Sequence, residues 1–189
     1  AALVVLPNQA DAAIMHLRGW RPAGIGVQAE RSLARCRILP NCVSTRPGTR
    51  RGSALPSWTY NKPATDGSLG SNGGASSSAG KQRKTMEQAV ADVVGVIKGY
   101  PGATIVTKRE TNSPDIGQGY YVYAEFESRI MGFVDDVEFL FMPDGSTVEF
   151  RSASRLGVSD AGVNRKRMHD IEVSLQTLDN RWGVHAGQR

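Results

Sequence analysis

Three short runs carry the residues best suited to chemistry. Asp135 and Asp136 are adjacent carboxylates. Arg151, Ser152, Ser154 and Arg155 set two guanidiniums around two hydroxyls. Asn164 is followed by Arg165, Lys166 and Arg167. Paired carboxylates can do acid–base work when they face one substrate. Arginines with hydroxyls can hold a phosphate, sulfate or carboxylate, most readily at a helix N-terminus. Ordinary catalytic spacings are missing: the chain has no G-x-S-x-G, no H-E-x-x-H and no P-loop. Gly24 and Gly26 are too few for a dinucleotide fingerprint and read as a turn. His16, His169 and His185 are scattered, which argues against a metal site.

The elements that must position these runs follow from periodicity. Thr85 with Gln88 makes a capping box, and Met86, Val90, Val93, Val94 and Ile97 fall at helical spacing before Gly99. Residues 103–108, 120–130, 133–141 and 147–155 read as strands, with a turn region at Asn112–Gly119 and a hairpin turn at Pro143–Gly145. A second helix over about 162–178 carries Met168, Ile171, Leu175 and Leu178. The order helix, four strands, helix predicts an α+β two-layer sandwich, a four-stranded antiparallel sheet with two helices on one face, plus an extended N-terminal arm.

Alternation puts Phe133, Asp135, Val137, Phe139 and Phe141 on one face of their strand, and Asp136, Glu138 and Leu140 on the other. The two aspartates therefore point apart and cannot act as a dyad. Arg151 and Glu138 are cross-strand partners across the turn. Cations in the first turn of the second helix oppose its dipole, which calls for compensation. Two arrangements provide it: an internal network of Asp135, Asp136 and Asp160 with Arg151, Arg155 and Arg165, or an anion pocket built from the same arginines, Ser152, Ser154 and the helix N-terminus.

Charge is unevenly spread. Residues 1–60 carry a net +6, residues 61–84 +3 and residues 85–189 −4. The organisation expected is a basic arm over 1–60, a Gly/Ser-rich insertion over 61–84, a body over 85–180 and a tail over 181–189. Ala1–Leu6 with Ala10, Asp11 and Ala12 resembles the end of a targeting peptide, making 1–12 a targeting remnant. The arm either folds back on the body or docks on an anionic surface. Within the arm, Ser57–Tyr60 is an aromatic anchor packed on the body. Nucleic acid is disfavoured because the basic residues are not interleaved with stacking aromatics. No apolar run is long enough for a membrane span. Cys36 and Cys42 form a small disulfide loop in an oxidising compartment and a pair of free thiols otherwise.

Several motifs together resemble the domain-of-unknown-function 1499 family: Cys36 before Asn41, Cys42, Val43 and Ser44; Ala124, Glu125 and Ser128; Gly132 through Glu138; and the run from Arg151 through Asp160 and Asn164 to Arg167. The resemblance covers about Cys36 to Leu178. It implies a site of Cys36, Cys42, Ser128, Asp135, Asp136, Arg151, Ser154, Arg155, Asp160, Asn164 and Arg165, with no catalytic residue, metal or cofactor assigned. Family members include bacterial proteins and plastid proteins of the thylakoid lumen, without an established activity. By that likeness the chain is expected to be an accessory subunit of a photosynthetic membrane complex such as a photosystem. It would sit in the chloroplast thylakoid lumen, peripheral to the membrane, and dock through residues 1–60. The insertion and the arm before Cys36 depart from the family pattern and suggest an algal or plastid version with an added docking segment.

Overall fold

The computed structural model describes residues 17–28, 32–36, 38–63, 83–113 and 117–185. The suggested targeting remnant and most of the Gly/Ser-rich insertion lie outside them.

The meander stands as alternation and turn chemistry require. Strands β3 (Ala103–Ser113), β4 (Gly117–Glu127), β5 (Val134–Phe141) and β6 (Thr147–Ser154) pair antiparallel in sequence order. β3 runs longer than the expected 103–108, and β4 starts and ends three residues earlier than the expected 120–130. Asn112–Gly119 is not an open turn, because Asn112 pairs with Gln118 and Ser113 with Gly117. Between β5 and β6, Asp144 Oδ1 accepts from the amides of Ser146 (2.9 Å) and Thr147 (2.8 Å), and Gly145 supplies the positive φ the turn needs.

The sheet has seven strands, not four. β1 (Cys42–Ser44) and β2 (Trp58–Thr59) lie end to end along the free edge of β6, and β7 (Gly183–Val184) pairs with β2. These strands span two or three residues, too short to show any period, and their pairing depends on β6 being in place. Residues assigned to arm and tail thus complete the sheet. Trp182 of the tail is buried in the core.

Helix α1 (Met86–Lys98) starts at Thr85 with the full capping box and buries Ala89, Val90, Val93, Val94 and Ile97. Helix α2 (Val163–Leu178) buries Asn164, Arg167, Met168, Ile171 and Leu175. Both pack on the sheet face formed by Val122, Ala124, Phe126, Val137, Phe139, Phe141, Val148 and Phe150, joined by Trp58 and Tyr60. Each of these large apolar side chains contributes roughly 1.5–3 kcal/mol by leaving water.

The opposite face is covered too. Leu33, with Ile25 and Val27, packs on Tyr121, Tyr123 and Leu140. The arm therefore forms a partial third layer, and every residue of β5 is buried. Asp136 and Glu138, which alternation sends away from the helices, lie beneath that arm.

Candidate polar site

Asp135 faces the helices. Its Oδ2 accepts from Arg167 Nη2 at 2.5 Å. Arg167 Nη1 donates to Asn164 Oδ1 (2.8 Å) and Ser152 Oγ (3.2 Å), and the guanidinium lies 4.8 Å from the centre of the Phe126 ring. Asn164 is satisfied throughout: its Oδ1 also accepts from Ser152 Oγ (2.5 Å), and its Nδ2 donates to Ser154 Oγ (3.0 Å) and the Asn41 carbonyl (3.1 Å). This group ties α2 to β5, β6 and the residue before β1.

Asp136 faces the arm and answers to Arg155. Arg155 Nη2 is 2.7 Å from Asp136 Oδ1, its Nε is 3.1 Å from Oδ2, and Nη2 also reaches Glu125 Oε1 at 2.5 Å. The Tyr123 hydroxyl sits 2.6 Å from Asp136 and 3.0 Å from Glu125, with one proton to donate. From the arm, Arg21 Nη2 reaches Glu125 Oε1 at 2.5 Å, and Arg18 lies 3.4 Å from both Glu125 and Glu127. Burial pushes the Glu125 carboxyl up, but the bonds from Arg21, Arg155 and Tyr123 outweigh it and hold the group at about 2. The Tyr123 hydroxyl moves up, through burial and then its carboxylate neighbours.

One register step along the same face, Glu138 is wholly buried. It accepts from the Gly26 amide (2.6 Å), the Tyr121 hydroxyl (2.8 Å) and Arg151 Nη1 (3.1 Å). Glu138 and Arg151 are directly opposed in the ladder, as the turn register predicts. Burial raises the Glu138 carboxyl against those three donors.

The residues singled out from sequence therefore fall into separate groups divided by the sheet. Asp135, Ser154 and Asn164 lie on the helix face, with Asp136, Arg151 and Arg155 under the arm. Asp160 joins neither network. Its Oδ1 accepts from the Gly162 amide (3.0 Å) and its Oδ2 from the Asn164 amide (2.8 Å), so it caps α2 and sets a negative charge at an end crowded with cations. Arg165 points elsewhere and donates to the Gly52 carbonyl (2.9 Å) from an exposed position. Ser128 closes the β4–β5 connection, its Oγ accepting from the Phe133 amide (3.1 Å). Consequently Arg151, Arg155 and Arg165 do not converge on one anion pocket. The single network of three aspartates and three arginines is not formed either.

Arg167 and Glu125 stand in the runs quoted from sequence without an assigned part in the site, and Tyr123 is not singled out there. Helical spacing could have found the first, since Arg167 is i+3 from Asn164 and shares its face, whereas Arg165 does not. Alternation could have found the others, because Tyr121, Tyr123 and Glu125 share one face of β4. Cys36 and Cys42 are joined in a disulfide packed on Ala153. Among the described residues, no group of His, Cys, Asp and Glu is placed to hold a metal, and no helix is long and apolar enough to cross a membrane.

With this geometry in view, a family model described as "Protein of unknown function (DUF1499)" matches residues 32–175. The chain belongs to this family. The DUF1499 match takes in the helix-face group, the disulfide, the meander and the sheet's share of the arm-face group, leaves out Arg18, Arg21 and Gly26, and ends within α2. No curated protein and no solved structure matches the chain.

Proposed function

We propose that this DUF1499 protein is a non-enzymatic accessory subunit of a photosynthetic membrane complex, seated peripherally on its lumenal side. One observation carries the non-catalytic part: Asp135, Asp136 and Glu138 are each bonded to an arginine within the fold. Groups committed in this way brace layers together, and these three carboxylates are not free to act as bases on a substrate. The Cys36–Cys42 disulfide suits an oxidising compartment. The lumenal and photosynthetic setting rests on the family likeness. For docking, the basic arm offers Arg50 and Arg51 at the surface, together with Arg18 and Arg21, which stay half exposed while they hold Glu125.

Fractionation of native thylakoid membranes tests the reading. The chain is expected to comigrate with one complex at low salt and to be released as salt screens the arm. Recovery as a soluble monomer at low salt would overturn it.

A second reading, a small-ligand module, is favoured by a cleft of about 270 Å³ lined by Trp58, Phe150, Met168, Arg165, His169 and Glu172. It lies apart from the arginines under the arm. Thermal-shift screening with phosphate, sulfate and organic acids decides: a ligand at 100 times its Kd adds roughly 2.7 kcal/mol, and a flat screen removes this reading.

A further inference from the structure

Large apolar side chains are left in water around one end of the sheet. There the chain turns between β4 and β5, β6 ends at Ser154, the disulfide loop passes, and the arm begins its run over the outer face. These segments are adjacent. The Leu17 amide donates to the Met131 carbonyl (3.2 Å), the Ser154 amide to the Asn41 carbonyl (2.9 Å), and Asn41 Nδ2 to the Gly157 carbonyl (2.8 Å). Gly19 lies directly against Leu156. Each segment presents an apolar residue to solvent: Trp20 is 95% exposed, Ile38 81%, Ile130 67% and Val158 71%, with Phe133 and Leu156 partly exposed. Scattered exposed apolar residues need no explanation, but a group contributed by four neighbouring loops does.

The charges beside these residues identify what covers them. Trp20 stands between Arg18 and Arg21. In the sequence no carboxylate lies within two residues of Trp20, Ile38 or Ile130, whereas Asp160 lies two residues from Val158, and in space Glu125 and Glu127 meet Arg18 and Arg21. Arg18 and Arg21 remain half exposed even while they hold Glu125. An apolar side chain with a guanidinium beside it matches a lipid headgroup layer: the apolar body enters the acyl boundary while the guanidinium holds phosphate oxygens. Indole favours the same depth.

We propose that this end of the sheet is a membrane-docking face, which sets Trp20, Ile38, Ile130 and Val158 into the headgroup layer of a bilayer carrying anionic lipid. It names the lipid-contacting surface of the peripheral subunit described above and rests on that reading. The sheet then stands end-on to the membrane, and the α1–α2 layer remains free for protein contacts.

Trp58 and Trp182 are each 2% exposed, so Trp20 is the tryptophan that reports contact with lipid. The full chain is mixed with vesicles of phosphatidylcholine alone, or of phosphatidylcholine with phosphatidylglycerol, and followed by co-sedimentation and by tryptophan emission with brominated acyl chains. Expected are salt-sensitive binding to the anionic vesicles, a blue shift and quenching. Ile130→Ser or Ile38→Ser should weaken binding roughly tenfold or more, and Trp20→Ser should abolish the quenching; all three are surface changes that leave the fold intact. The proposal is overturned if the protein stays in the supernatant with unchanged emission. It is equally overturned if Trp20 is already shielded without lipid by residues 1–16, or becomes shielded with protein concentration by a second copy. A chain found on a native complex yet indifferent to vesicles would sink the lipid face and leave the accessory-subunit reading standing. Vesicle binding without any complex would do the reverse.

Discussion

Asp135 and Asp136 are consecutive in the chain, yet their carboxylates lie on opposite sides of the sheet and bond to different arginines, Arg167 from α2 and Arg155 from the end of β6. The pleat of β5 thus divides the acid pair between two jobs, one holding the helix layer and the other holding the arm.

Removing Arg155 should be costly. Arg155→Met leaves Asp136 and Glu125 buried with only Tyr123 and the arm arginines to answer them, and an orphaned buried charge costs about 3–5 kcal/mol. Urea unfolding would measure this, and Asp136→Asn added to Arg155→Met should recover part of the loss. A change below 1 kcal/mol would show that the group does not hold the arm.

The two groups should behave independently, because they share no bonded side chain. Arg155→Lys and Arg167→Lys each lose planar donor geometry, and their effects should add within about 0.5 kcal/mol. A larger coupling in a double-mutant cycle would mean that strain passes through the strand backbone.

Glu125 sets an acid limit. Its folded value of about 2 lies below the ordinary 4.5, so its stabilising effect is complete above pH 4.5 and disappears as pH falls toward 2. At neutral pH it amounts to roughly 2–3 kcal/mol. Glu138 is raised and works in the opposite sense, its share fading as pH rises through its folded value. Glu125→Gln should therefore be less stable at pH 7 and should lose much of the drop below pH 4.5 seen by circular dichroism.

The disulfide should matter modestly. It closes a short loop, for which the chain-entropy relation gives about 2 kcal/mol. Replacing both Cys36 and Cys42 by Ser should lower stability by that order without loss of fold. Wild-type protein purified without reductant should show no reactive thiol.

The insertion should be removable. Asn61 Oδ1 accepts from the Lys84 amide (2.8 Å), and Asn61 Nδ2 donates to the Lys84 carbonyl (3.0 Å), so the two ends already touch. Replacing residues 64–82 with a short Gly-Ser linker should leave the melting profile unchanged or raise stability by about 1 kcal/mol. Failure to fold would assign that segment a structural role.

Much of this was legible from residue order. The capping box at Thr85, the helical stripes, the Asp144 turn and the Glu138–Arg151 pair all follow from local rules, because each depends on residues close in sequence or on one register. What escaped depends on distant partners. β1, β2 and β7 are too short to carry a period; β1 and β2 form because β6 offers an edge, and β7 because β2 then offers one. Lys84 reads as a linker cation, yet it is buried, its Nζ bonded to Asp92 and 2.9 Å from Asp179, with Trp182 donating to Asp92 at 3.0 Å. Arg167 is the exception, since helical spacing from Asn164 separates it from Arg165 without any distant partner.

The cover over the outer face has a consequence for how the molecule is made. The segment from Leu17 to Leu33 leaves the ribosome long before β4, β5 and β6, whose carboxylates and tyrosines are what it rests on. Until those strands assemble, its guanidiniums have no acids to meet and its leucine and valine no surface to cover. This segment is thus among the last to settle, and the meander must first form with an acidic, uncovered back.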